Sequence, residues 1–236
     1  MAEKPLRLRE VLEVVYTPER WRILDKLRTE ASRVLKALRR FNLEGWVHGS
    51  VARGDVDEDS DVDIIILQPT PSYIVETCLL VNGFKIFSRV LTQATPGNTP
   101  KAHIYLDPEE KISVTLPLMD FRPRELEFYR FGGMVSLREL EMGLRVPGCT
   151  KRLTLVKPTP EGHLEYPVEG FESEVARELG VSVDVVRERV RVLKRRDERG
   201  RTGLFIKRVL SEDESFEAVF REILSERPPA RRRLEV

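Results

Sequence analysis

Asp61 and Asp63 stand one residue apart at the head of the run Ile64-Ile65-Ile66-Leu67. On a strand, residues i and i+2 share a side, so both carboxylates face one way and Val62 faces the other. Two like charges this close repel unless a cation lies between them. A few hard oxygen donors, with room left for phosphates, suit Mg2+ or Mn2+. Upstream lies Gly49-Ser50. A glycine there lets the backbone approach a phosphate, and the Ser50 hydroxyl and nearby N–H groups can bind its oxygens. Ten residues separate Ser50 from Asp61, enough for a short loop or helix between them. Phosphate grip and metal grip together point to metal-assisted phosphoryl or nucleotidyl transfer. The intervening acids Asp57, Glu58 and Asp59 read as a solvated loop.

The surrounding pattern supplies elements to hold these groups. Thr17-Pro18-Glu19 is a helix start, with Thr as N-cap and Pro in the first position. Trp21, Leu24, Ala31, Val34, Leu35, Leu38 and Phe41 continue it at helical spacing. A shorter amphipathic helix is expected over Leu8 to Val15. Trp46 to His48 reads as a strand running into the Gly-Ser turn, and Asp61 to Leu67 as a buried strand. Tyr73 to Val81 reads as a helix and Phe84 to Leu91 as a strand. Ala102 to Leu106 and Lys111 to Met119 form a hairpin across Asp107-Pro108-Glu109-Glu110. Helices follow over Arg124 to Phe131 and Leu137 to Leu144, the second opened by a Ser136 to Glu139 capping box. Arg152 to Val156 and His163 to Tyr166 pair as a further hairpin. The last helix is expected to be capped by Ser211 to Glu214.

The motif His48-Gly49-Ser50, a gap, then Asp61-Val62-Asp63-Ile64 resembles the signature of the DNA polymerase β-type nucleotidyltransferase superfamily. The wider pattern, "GSVARG" followed by "SDVDIIIL", is similar to the small prokaryotic members. The resemblance covers Trp46 to Phe121. It implies that Gly49 and Ser50 hold the β- and γ-phosphates of a nucleoside triphosphate, with Arg53 adding positive charge to them. It also implies that Asp61 and Asp63 hold two Mg2+ ions, which align an acceptor hydroxyl with the α-phosphate and stabilise the departing pyrophosphate. The superfamily usually adds a third carboxylate on a neighbouring strand. Here that strand is "KISVTLPLMDF", and the expected position falls near Thr115. Asp120, five residues later, is the candidate substitute.

The 236 residues carry 40 Lys and Arg against 39 Asp and Glu, a formal net charge of +1. That balance excludes a bulk electrostatic case for nucleic acid and leaves only the distribution to argue from. Between Val181 and Leu210 ten cations face four acids, a local +6. The stretch "SEVARELGVSVDVVRERVRVLKRRDERGRTGLF" resembles a winged helix-turn-helix, with helices over Glu172 to Leu179 and Ser182 to Lys194 and a Gly-bearing hairpin as the wing. Arg187, Arg191, Lys194, Arg195, Arg196, Arg199 and Arg201 are its candidate phosphate-backbone contacts. Cys78 and Cys149 have no metal or disulfide spacing, and no apolar run is long enough for a membrane span. A reducing, cytoplasmic setting without membrane association is therefore expected.

These readings give an α+β fold. Residues 1–121 are expected to form a polymerase β-like nucleotidyltransferase domain, a mixed sheet with flanking helices. Residues 122–168 form a helical and hairpin connector, and 169–236 a winged-helix-like module with a terminal helix. The expected activity is Mg2+-dependent transfer of a nucleoside monophosphate from an NTP to a hydroxyl on RNA, protein or a small molecule. RNA or DNA would be a partner of the C-terminal module. The other class open to this sequence is a nucleotide-binding regulator or antitoxin-like protein that binds nucleic acid without efficient transfer.

Overall fold

The computed structural model describes residues 11–200 and 203–226. In chain order the first elements are β1 (Leu12–Val15), α1 (Pro18–Arg40), β2 (Gly45–His48), α2 (Ser50–Arg53), β3 (Val62–Ile66) and α3 (Ser72–Val81). Next come β4 (Ser88–Gln93), β5 (Lys101–Tyr105), β6 (Ile112–Pro117), α4 (Pro123–Gly132), β7 (Met134–Ser136) and α5 (Leu137–Glu141). The remainder are β8 (Gly148–Cys149), β9 (Thr154–Thr159), β10 (Gly162–Pro167), α6 (Glu172–Leu179), α7 (Val183–Arg199), β11 (Ile206–Val209) and α8 (Phe216–Glu226). The result is a mixed α/β fold in two compact units. One comprises Met1–Ser32, Val47–Val62 and Pro123–Thr202; the other comprises Arg33–Trp46, Asp63–Arg122 and Gly203–Val236. The chain passes between them within α1, β2 and β3.

The second unit is built on strands in the order β11-β4-β5-β6-β3-β2. β4, β5 and β6 are antiparallel, with His103 opposite both Val90 and Thr115. Along β5 Ala102 and Ile104 are buried, whereas Lys101, His103 and Tyr105 are half-buried. One face of the sheet is therefore apolar core and the other polar, as period-2 alternation requires. Gly45 on β2 is dictated by packing: a Cβ there would lie 2.8 Å from both Leu35 Cδ2 and Leu38 Cδ1. Ser72 at the start of α3 donates from its N–H and its hydroxyl to the Glu217 carboxylate of α8, at 2.7 and 2.8 Å.

The first unit holds a four-stranded sheet in the order β1-β10-β9-β8. Its core joins Leu153 and Leu155 to Phe131 of α4, Val175 and Ala176 of α6, and Val185, Val186, Val190 and Leu193 of α7. Gly180 closes α6 in the left-handed region at φ 61°. The α6–α7 pair thus buries its apolar face against α4 and the small sheet.

Several expectations hold in detail. The Arg20 N–H donates to Thr17 Oγ1 at the start of α1, and the Ser136–Glu139 capping box is fully formed. Others are corrected. Leu12–Val15 is a strand, not a helix, because it pairs antiparallel with β10; Leu8 to Glu10 lie outside the described residues. No wing hairpin is seen among the described residues. α7 continues to Arg199, and Ile206–Val209 pairs with β4 instead. Ser211 and Glu214 make a local turn, while Ser215 Oγ caps α8 by accepting from the Ala218 N–H.

Candidate active site

β2 delivers the chain to Gly49, whose φ of 81° and ψ of −145° are open essentially to glycine alone. Its N–H donates to Gly133 O at 2.9 Å, and its carbonyl accepts from the Ala52 and Arg53 N–H groups. The single turn α2 is thereby fixed, with half-buried Ser50 at its start. The leading N–H groups of a helix have no acceptor within it, so this turn presents donors beside the Ser50 hydroxyl.

Arg53 closes the turn by pairing with an acid two residues on. It is buried, and Nε and Nη2 donate to the two carboxylate oxygens of Asp55, each at 2.9 Å. Nη1 donates to Gly132 O at 2.6 Å and to Cys149 O at 3.5 Å. The guanidinium acts as a strut inside the first unit. The acidic run folds on itself as expected of a solvated loop: Asp57 Oδ1 accepts from the Asp59 N–H and the Ser60 hydroxyl.

Asp61 immediately precedes β3 and is exposed; Val62 is buried and Asp63 half-buried. The alternation expected of the pair is present, and Ile64, Ile65 and Ile66 then enter the core. Asp63 Oδ1 accepts a hydrogen bond from Ser113 Oγ on β6 at 3.0 Å. Among the described residues no three His, Cys, Asp or Glu side chains gather as a metal cluster. Two carboxylates nevertheless fit Mg2+, which keeps waters and takes substrate phosphates as its remaining ligands.

On β6 the residue facing Asp63 is Ser113, not Thr115. Thr115 instead meets His103, with Oγ1 2.9 Å from Nδ1, and His103 Nε2 lies 2.8 Å from Thr92 Oγ1 on β4. Asp120 is exposed and lies three residues beyond the end of β6. Ser113 is a polar residue sequence reasoning passes over, and His103 one it reads as structural for want of ligand-like companions. Their signal is the polar alternation of "KAHIY" and "ISVTL", which a period-2 reading of both strands exposes.

Along α7, Arg187, Arg191, Arg195, Arg196 and Arg199 are exposed. Lys194 is paired with Glu169 at 2.5 Å. Arg189 packs over the Phe128 ring at 4.8 Å, and burial pulls its guanidinium down to about 10. Arg201 lies outside the described residues.

Residues 28–131, somewhat under half of the chain, match the nucleotidyltransferase domain family. This segment contains the Gly49-Ser50 turn, both aspartates of the β3 motif, and β4 to β6. A domain of this family supports nucleotidyl transfer in general, with a divalent metal and an NTP. No curated protein and no solved structure matches the chain. Among the described residues no helix is long and apolar enough to cross a membrane.

Proposed function

We propose that the protein transfers a nucleoside monophosphate from an NTP to a hydroxyl acceptor, with Mg2+ held by Asp61 and Asp63. The observation that carries this reading is the alternation of exposed Asp61, buried Val62 and half-buried Asp63 at the entry to β3, inside the matched segment. When bound, the metal neutralises charge on the phosphates and favours in-line displacement. The chain's own part is to place donors. Gly49 supplies the turn, and Ser50 offers its backbone N–H and hydroxyl to the β- and γ-phosphates. Ser113 orients Asp63 through its 3.0 Å hydrogen bond, and the Arg53–Asp55 pair keeps the Gly-Ser turn in shape. Titration calorimetry tests the nucleotide site. Wild type is expected to bind NTP in a Mg2+-dependent manner, and the Asp61→Asn, Asp63→Asn double variant to lose that binding with its melting temperature retained. Unaltered binding in the double variant would sink the assignment.

The exposed arginines of α7 favour nucleic acid as a partner, because a basic face on a packed helix is a footprint for a phosphate backbone. A second reading draws on the same face and on the lack of a three-carboxylate cluster among the described residues. In it the protein binds nucleotide and nucleic acid as a regulator without efficient transfer. Labelled-NTP incorporation over RNA, protein and small-molecule acceptors separates the two. No transfer, with salt-dependent duplex binding that weakens on Arg195 and Arg196 substitution, selects the regulator.

A further inference from the structure

We propose that Thr115 and His103 receive the proton of the acceptor hydroxyl, on the strand where a third carboxylate would otherwise stand. The proposal rests on the transfer reading above. Ser113 and Thr115 are two apart on β6 and so share a face, and Ser113 on that face donates to the Asp63 carboxylate. Thr115 therefore stands about 7 Å further along the same strand, on the side that carries Asp63. Its hydroxyl is joined to His103 Nδ1 at 2.9 Å, and His103 Nε2 is joined to Thr92 Oγ1 at 2.8 Å. His103 and Thr115 are opposite residues in the β5–β6 register. The imidazole is thus held at both nitrogens across three strands, with Tyr105 stacked beside it at 6.5 Å between ring centroids.

A neutral imidazole has one donor nitrogen and one acceptor nitrogen. With the proton on Nε2, His103 donates to Thr92 Oγ1 and accepts from the Thr115 hydroxyl. Thr115 Oγ1 then keeps lone pairs for an incoming hydroxyl. In the step, the acceptor oxygen bonds to the α-phosphorus. The bond from that phosphorus to the bridging oxygen breaks, and pyrophosphate leaves with the electron pair. The acceptor proton moves to Thr115 Oγ1 as the Thr115 proton moves to His103 Nδ1, and the imidazolium later returns it to water. Thr115 is the residue that touches substrate; His103 acts through it as a positioning and proton-storing residue.

Steady-state kinetics of the full chain with Mg2+, NTP and a hydroxyl acceptor test this. His103→Ala should lower kcat by roughly 10²-fold, the scale of general-base catalysis, with KM for NTP unchanged within about threefold. Added imidazole should restore part of that turnover, which a purely structural histidine would not permit. Thr115→Val, nearly isosteric, should show the same loss without imidazole rescue, and Thr115→Asp should keep turnover by supplying a carboxylate. Wild-type turnover in His103→Ala overturns the proposal, as does a loss that imidazole cannot restore. So does loss in Asp120→Asn with none in His103→Ala, which assigns the proton to Asp120. If wild type transfers to no acceptor, the transfer reading falls, and this proposal with it. If wild type transfers and His103→Ala matches it, only this proposal falls.

Discussion

Replacing Arg53 by alanine separates a strut from a phosphate ligand. The Arg53 and Asp55 side chains are only 8% and 10% exposed, and the guanidinium makes four hydrogen bonds, two to Asp55 and two to backbone carbonyls. Removing it leaves the Asp55 charge buried without its partner, which costs about 3–5 kcal/mol. For a chain of this size each kcal/mol lowers the melting temperature by about 2–4 °C, so a fall of roughly 6–20 °C is expected. Arg53→Lys, which keeps the charge but not the bidentate fork, should lose less. Arg53→Met combined with Asp55→Leu should recover much of the loss, because no charge is then stranded. Calorimetric melting of the four proteins, with NTP titration of each, gives the answer. The strut role is refuted if Arg53→Ala melts within about 2 °C of wild type while NTP binding weakens by tenfold or more, about 1.4 kcal/mol.

Three further outcomes follow from the geometry. His163 is buried, with Tyr16 Oη at 2.7 Å from Nδ1 and Glu165 at 3.2 Å from Nε2, and burial holds its pKa below the ordinary value. The folded state therefore favours the neutral ring, and its stability is complete above the unfolded value of about 6.5 and lost as pH falls below it. Melting curves from about pH 7.5 to 5 should show that loss, and His163→Asn should flatten it. Gly162→Ala places a Cβ 1.8 Å from Val14 O, so β1 must move off β10. A loss of about 1–3 kcal/mol or more is expected, with faster amide exchange at Tyr16, whose N–H donates to Glu161 O. If Arg187, Arg191 and Arg195 each neutralise a duplex phosphate, their triple alanine variant should lower the slope of log K against log salt by roughly 2.7; an unchanged slope removes α7 from the interface.

Local signals carried most of what the sequence foretells. The Thr17-Pro18 start, the Ser136–Glu139 box and the Ile64–Leu67 run act within a few residues, and each appears where its chemistry places it. The errors lie where partners are distant. Leu8 to Val15 has helical spacing, yet Leu12–Val15 becomes a strand because β10, some 150 residues away, offers a free edge. Just past the expected wing, Ile206–Val209 likewise finds a distant edge, at β4. Within the site, the Asp-x-Asp alternation was legible from period alone. Arg53 was legible only in part: a turn role beside local acids was open to it, but its bonds to the Gly132 and Cys149 carbonyls join residues far apart in the chain. His103 was invisible as a partner of Thr115 because their pairing is a matter of register, which a single strand pattern does not reveal.

The central claim is transfer of a nucleoside monophosphate through the Asp61–Asp63 pair. It is met most directly by following an α-labelled NTP with and without Mg2+ over RNA, protein and small hydroxyl acceptors, in wild type and in Asp63→Asn. The expected result is Mg2+-dependent label on one acceptor class with matching pyrophosphate release, and loss of both in Asp63→Asn with the fold intact. Label transfer by Asp63→Asn at the wild-type rate, or no transfer by wild type to any acceptor, contradicts it.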